Sequence, residues 1–460
     1  MSVTTLHHHH ARPALRSPGR VTAPASRVQL VAPDLRIVDS PVASVLRVAC
    51  VEGPISRDSA ARTTGLSIAT VNRQVSALLG VGLLRERADL TASGAIGRPR
   101  VPFEVNHEPF STIGIHIGAV VTGITVSDLR GRILGAVEIP TPGGSPDAAL
   151  ASVTRSAGAF AGRWHRRTPL WVGVAIGGRV DTANGTVDHP RLGWENGRVA
   201  GIIGGGLGLP ISVSGHVEAM AASELLLAPR LSDTAAAQST SGTSLYFYAR
   251  ETAGMALTID GRVHTPASGP GSIAHLPTGS SALCGCGNRG CLEASVSDRA
   301  VVAAAVDRKI IPSVARGATD VAASVARGAT DVAVSVARGA TNVAAPQPHP
   351  SIAAVYQAAQ GGSEAARELL VERARILGRT VALLRDMFNP DRVVLGGQAF
   401  TAYPAGIPHV GEAFTAHSTL ARRDIRVTGF GDRVQEYAAT VVSLSSLYSD
   451  PLASMRRAAA

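Results

Sequence analysis

Three of the four cysteines in this chain of 460 residues fall within eight positions, in CGCGNRGC from Cys284 to Cys291, and His275 stands nine positions ahead. Four cysteines are too few to staple so long a chain with disulfides, and in a reducing compartment a tight cluster points to metal. Cys284, Cys286 and Cys291 offer three thiolates, the interleaved glycines let the backbone fold closely around an ion, and His275 can complete a tetrahedron. Zinc would lie about 2.3 Å from each sulfur and about 2.0 to 2.1 Å from the imidazole nitrogen. Four protein ligands close such a site. The expected Zn2+ is therefore structural, pinning a loop and activating no water.

With 45% hydrophobic residues over 460 positions, the chain can bury a large core, and two or three domains are expected. No apolar run reaches the length of a membrane span, and MSVTTLHHHHARPALRSPGR at the start lacks the apolar segment of a secretory signal. A cytoplasmic protein without membrane contact is expected. Residues 1–40, rich in Pro, Ser, Arg and Ala without periodicity, read as a disordered basic tail. From about residue 108, STIGIHIGAVVTGITVSD and PLWVGVAIGGRVD alternate with helical patterns, as an α/β architecture requires. Residues 231–242 read as a flexible connection to a second α/β stretch that starts at TSLYFYAR and runs to the C-terminus. It is interrupted at 313–345 by SVARGATDVAA, SVARGATDVAV and SVARGATNVAA. A glycine in each copy costs about 1 kcal/mol in a helix interior. The repeat is read as a surface insertion without chemistry.

Between tail and α/β region lies SRDSAARTTGLSIATVNRQVSALLGVGLLRER, from Ser56. Ser56 precedes a short helix, Gly65 breaks it, and Ser67 can cap a second helix whose Val71, Val75 and Leu78 form one buried stripe. Ala69, Thr70 and Arg73 are left on the opposite face, with Asn72 on its flank, where they could reach base edges in a major groove. GLLRER supplies the strand of a wing, and ASGAIGRPRVPF its turn and exit. In GRPR, a stiff proline segment flanked by Arg98 and Arg100 suits an ordinary interdomain turn or, directly after a winged helix, a narrow minor groove, which is the favoured reading. A helical dimerisation module would fit the same stripe, but it explains neither the turn chemistry nor the charge. The chain carries 44 basic against 34 acidic residues, a net charge of +10. Such a balance suggests a polyanionic partner, and with this helical motif the expected partner is double-stranded DNA.

The histidine followed by C-x-C-G-x-x-G-C-x-E, here His275, Cys284, Cys286, Cys291 and Glu293, resembles the signature of the ROK family of bacterial repressors and sugar kinases. The resemblance runs from about residue 41 to 450, apart from the repeat. It implies an α/β, actin-like and hexokinase-like two-lobed ROK domain over 106–460, preceded at 41–105 by an α+β winged helix-turn-helix domain and linker. It also implies a cleft between the lobes for a sugar-like effector, a structural zinc beside it, and a homodimer or homotetramer on an inverted-repeat operator.

Family members that phosphorylate sugars need a carboxylate base and a phosphate cradle. The segment similar to the family's base region is VSGHVEAMAASE, where His216 replaces the aspartate between Gly215 and Val217. Where the family has Asp-x-Gly-Gly-Thr this chain reads HIGAV, with His116, Ala119 and Val120 in place of the acid, second glycine and threonine. The second phosphate loop aligns with Arg250, Glu251, Thr252, Ala253 and Gly254, in which Glu251 repels phosphate and two bulky side chains obstruct approach to the backbone. Among sugar contacts, Ser272 stands for a glutamate and Arg191 for an asparagine, while His275 and Glu293 remain. The resulting reading is a DNA-binding transcriptional regulator of repressor type and not an enzyme, its DNA contacts drawn from Ser67, Thr70, Asn72, Arg73, Arg98 and Arg100, its effector contacts from Arg191, His216 and Glu293. The rival readings are a sugar kinase with an appended DNA-binding module and a non-catalytic protein scaffold.

Overall fold

The computed structural model describes residues 28–90, 101–228, 241–265, 271–313, 350–420 and 424–460. The 11-residue repeats after Ser313, most of the connection read at 231–242, residues 1–27 and both Arg98 and Arg100 lie outside the described residues.

Three helices open the described chain: α1 (Pro41–Glu52), α2 (Arg57–Thr64) and α3 (Ile68–Gly80). Each starts on a serine whose hydroxyl accepts an amide three residues on: Ser40 from Ala43, Ser56 from Ser59, Ser67 from Thr70. These bonds satisfy amides that a helix leaves without intrahelical partners. Gly65 ends α2 in the left-handed region, at φ 70°, and so turns the chain into α3. Val71, Val75 and Leu78 are fully buried, as their spacing requires. An antiparallel pair follows, β1 (Leu84–Glu86) with β2 (Phe103–Val105).

The body consists of two five-stranded sheets with one connectivity. In the first, β3 (Phe110–Ile117), β4 (Val121–Ser127) and β5 (Ile133–Pro140) run antiparallel, and β6 (Thr168–Ile176) extends the sheet in parallel beside β3. A three-stranded excursion, β7 (Arg179–Asp181), β8 (Thr186–His189) and β9 (Trp194–Gly197), precedes β10 (Ile211–Gly215), which closes the order β5-β4-β3-β6-β10. The second sheet repeats the plan. β11 (Thr243–Ala249), β12 (Ala253–Ile259) and β13 (Arg262–Val263) are antiparallel, and β14 (Arg392–Gly396) and β15 (Asp424–Val427) add in parallel, giving β13-β12-β11-β14-β15.

Helix Val434–Ser449, though it belongs to the C-terminal stretch, packs on β3 and β6 of the first sheet. The second α/β stretch is therefore not a self-contained lobe. Contact is close because Gly114 and Gly173 face the helix: a Cβ on Gly114 would lie 2.9 Å from the carbonyl carbon of Ala439. Buried hydroxyls finish the seam, with Thr112 Oγ1 2.7 Å from Ser443 Oγ and 2.9 Å from Ser127 Oγ. The same helix and its successor Pro451–Ala458 also receive α1, and α3 packs on Pro451–Ala458. Glu104 of β2 accepts from Arg85 at 2.8 Å, Arg87 at 3.0 Å and Arg130 of the β4–β5 turn at 3.4 Å. The helical unit is thus docked on the first lobe through apolar and charged contacts together.

Residues 28–40 correct the reading of a disordered tail. Leu30 bridges β10 in parallel and Arg36 bridges β13 in antiparallel fashion, so the segment lies along free edges of both sheets. Its own side chains explain the order: Val28 and Leu30 pack on the first-lobe core, and Leu35, 5% exposed, and Ile37 on the core that α1 shares. The period-two alternation in RVQL and DLRIV carried that signal.

Candidate functional site

The outward face of α3 carries Ile68, Ala69, Asn72, Arg73 and Ser76, all exposed, with Thr70 half-buried. Ser67 serves first as the helix cap: its Oγ accepts the Thr70 amide at 3.2 Å and lies 3.0 Å from the Thr70 hydroxyl. Three neighbouring arginines are paired with carboxylates, Arg57 with Glu86 at 2.8 Å, Arg85 with Glu108 at 2.8 Å and Arg87 with Asp89 at 2.6 Å, and Arg62 of α2 donates to Ser59 Oγ at 2.9 Å. Arg73 has no ion pair among the described residues. It is the cation that this face presents to a polyanion. Ile68, 44% exposed, is a surface residue that sequence reasoning missed. It precedes Val71 by three positions, so helical periodicity assigns it to the buried stripe.

Around the cysteines the chain doubles back on itself. Cys284 N donates to Asn288 O at 2.8 Å, Gly287 N to Cys284 O at 2.9 Å, and Thr278 N to Gly290 O at 2.8 Å. Gly290 needs its φ of 76°, and a Cβ there would also meet Ser280 O at 2.6 Å. The fold brings the donor atoms of His275, Cys284, Cys286 and Cys291 within 4.8 Å of one another. His275 Nδ1 is 3.7 Å from Cys284 Sγ, and Cys286 Sγ is 3.7 Å from Cys291 Sγ. A tetrahedron with bonds of about 2.3 Å has edges of about 3.8 Å, whereas a disulfide needs sulfurs about 2 Å apart. The four residues can hold a metal ion. The Asn288 amide, with Cys284 beside it, draws the Cys286 thiol down to about 7, and burial next to two other sulfurs pushes Cys291 up to about 11. A bound cation would relieve that crowding of thiolates.

Between the two sheets lies a cavity of about 650 Å³. It is walled by residues at strand ends: His116 on β3, Gly177 after β6, His189 on β8, His216 after β10, and the Arg250–Thr252 turn after β11. The rings of His116 and His216 stack at 5.7 Å between centroids, and His216 meets Tyr248 edge-on at 5.5 Å. Burial lowers the imidazole of His216 to about 4, and it lowers His116 and His189 as well. All three are neutral near pH 7. His116 Nε2 and His216 Nδ1 are buried and have no hydrogen-bond partner among the described residues.

Arg191, His216 and Glu293, named from the sequence, do share this cavity. Arg191 Nη1 donates to Glu251 O at 2.6 Å and lies 3.8 Å from Glu293 Oε1. Arg250 donates to Gln435 Oε1 at 2.6 Å, and Gln435 Nε2 to Tyr248 Oη at 2.8 Å. The turn after β11 is therefore held by Arg191 and Gln435, which reach it from elsewhere in the chain. His189 is one wall residue that the sequence did not single out. The His/Cys loop backs this wall, since Glu293 N, two residues after Cys291, donates to Ala274 O at 3.0 Å.

Residues 112–419 match the ROK family. The transcriptional regulator Rv0485 of Mycobacterium tuberculosis is 53% identical over 446 residues, 97% of this chain and 94% of that one. A solved ROK family transcriptional regulator, a homologue of the E. coli MLC protein, superposes over 92% of this chain and 99% of its own with a TM-score of 0.67 at 21% identity. A solved ROK family glucokinase from Streptomyces griseus, in complex with glucose and AMPPNP, covers only 72% of this chain and 99% of its own, with a TM-score of 0.56 at 21% identity. The duplicated sheet plan, the His/Cys loop beside the cleft and the match over most of its length place the chain in the ROK family.

Proposed function

We propose that the chain is a DNA-binding transcriptional regulator of the ROK family, in which residues 41–105 form a winged helix-turn-helix and α3 enters the major groove. The observation that carries this reading is the outer face of α3: it is exposed beyond a fully buried stripe and presents an arginine, Arg73, that has no ion pair among the described residues. Arg73 reaches a guanine edge or a phosphate, Asn72 and Thr70 adjacent base edges, Ile68 a thymine methyl, and Arg98 and Arg100 a flanking minor groove. The relative Rv0485 is called a transcriptional regulator over nearly the same length. A homodimer or homotetramer acting in the cytoplasm would read an inverted repeat with two such helices.

Zinc in the His275, Cys284, Cys286 and Cys291 site is structural in this reading, and it holds the loop that seats Glu293. The cleft takes a small-molecule effector without phosphorylating it. Its buried wall offers neutral imidazoles at His116 and His216, and Glu251 faces Arg191. The test is binding of wild type and Arg73→Ala to a selected operator at two salt concentrations. Loss of about 1 to 3 kcal/mol on the cognate site alone supports base reading; equal affinity of both proteins on all sequences favours a protein scaffold. Phosphorylated hexose formed from ATP, abolished by His216→Ala, would restore the kinase reading.

A further inference from the structure

The segment ahead of α1 is built into both lobes by backbone hydrogen bonds. On the first lobe, Val31 N donates to Ile211 O at 2.9 Å, Ile211 N to Gln29 O at 3.0 Å, and Ser212 Oγ to Val31 O at 2.8 Å. On the second, Ile37 N donates to Gly261 O at 2.9 Å and Val263 N to Leu35 O at 3.0 Å. Only Ala32, Pro33 and Asp34 lie between the two anchorages. The four steps from Val31 to Leu35 span at most about 14 Å. Both anchorages lie away from the cleft: Ile211 begins the strand that delivers His216, and β13 pairs with the end of β12 remote from the Arg250–Thr252 turn.

The second anchorage leads directly into the DNA-facing unit. Two residues separate Ile37 from Ser40, the cap of α1. Arg47 of α1 holds this stretch, donating to Val38 O at 2.8 Å and to Asp39 at 3.3 Å. Leu35 and Ile37 pack in the same core as Val45, Leu46 and Ala49 of α1, and α1 packs on α3.

We propose that residues 28–40 are a strap that couples the relative position of the two lobes to the seating of the α1–α3 unit. A hinge motion about the cleft changes the separation of β10 and β13 on the opposite side. The strap has little slack, so the motion either breaks one anchorage or pulls on Ser40. The link to regulation rests on α3 as the DNA face and the cleft as the effector site, whereas the link between lobes does not.

Two measurements on the full chain test it. Ile37→Pro removes the amide that binds Gly261 O, and Leu35→Ala loosens the same anchorage if the proline variant fails to fold. Hydrogen exchange is then read at Val31 and Ile211, the far end of the strap. Faster exchange there is expected, and exchange identical to wild type would overturn mechanical continuity.

For the second measurement, Arg36 and Arg262 are opposite one another without mutual hydrogen bonds, the pairing that brings Cα atoms to about 4.5 Å and admits a disulfide. R36C/R262C is compared oxidised and reduced, with R36C alone as the control for oxidation elsewhere. Affinity for the selected operator should change about five-fold or more on oxidation and return on reduction, the lower range of allosteric coupling. Affinity unchanged by the lock would overturn the coupling to DNA. Failure of wild type to bind any selected operator would instead sink the DNA reading, with the exchange experiment still deciding the strap.

Discussion

Gly173 on β6 lies against Ser443 of helix Val434–Ser449 so closely that a methyl group on the glycine would collide with the serine amide and Cα. The obstruction is backbone, which has nowhere to yield, because Ser443 is fully buried and its hydroxyl is bound to Thr112. Gly173→Ala should therefore destabilise by about 3 kcal/mol or more, at or beyond the upper range for overpacked cores. Denaturant unfolding checks this. A variant as stable as wild type would mean that the helix can lift off the sheet at little cost.

Asp298 is the charge on which the second lobe turns. It is 3% exposed and accepts from Arg373 Nη2 at 2.5 Å, while Arg373 also donates to Val296 O at 2.8 Å and Tyr356 Oη at 3.0 Å. Removing one partner strands the other in the core, so Asp298→Ala or Arg373→Ala should each cost about 3 to 5 kcal/mol. The double variant Asp298→Leu/Arg373→Met should recover much of the loss. Calorimetric melting of all three would settle it, and a double variant worse than either single one would contradict the account.

Metal removal gives a third expectation. If a cation holds the His275 loop, metal analysis should find about one zinc per chain, and chelation should lower the melting temperature and raise proteolysis near Cys284. Cys286→Ser should behave like the chelated wild type. Unchanged melting in both would remove the structural role.

The cleft histidines predict an acid limb. His216 has its folded pKa at about 4, against about 6.5 unfolded, so the unfolded chain binds the proton first as pH falls. Its contribution is fully present above pH 6.5 and is lost towards pH 4, by roughly 3 kcal/mol at most. His116 and His189 act in the same direction. Burial raises the carboxyls of Glu218 and Glu224, which favour the folded state as they protonate and so oppose the trend at its acid end. Denaturation midpoints at pH 7.5, 6 and 5 should fall, and His216→Asn should flatten the slope. An identical slope in the variant would refute the assignment.

Local patterns were legible in the sequence, and long-range partnerships were not. Val71, Val75 and Leu78 followed from helical spacing, Ser56 and Ser67 from cap chemistry, and the His275 set from cysteine spacing, because each depends on a few neighbouring residues. The meeting of His116 with His216, a hundred positions apart, depends on two strands ending at one cleft. So does the seating of a C-terminal helix on the first sheet, which small residues at 114 and 173 permit but do not announce. The exposure of Ile68 has no signal in the spacing, because periodicity records position along the helix, while exposure at a helix start depends on what packs there.

The pairing of residues 29–31 with β10 and 35–37 with β13 has a consequence for solubility. A sheet edge with bare amides and carbonyls is a template on which another chain can add. In this protein one short segment covers such an edge on each sheet, and Pro33 between the two pairings cannot itself extend a ladder. A fragment trimmed to begin at α1 would keep every residue of α1 to α3, the His/Cys loop and the cleft. It would also uncover two edges at once, and should associate with itself through them.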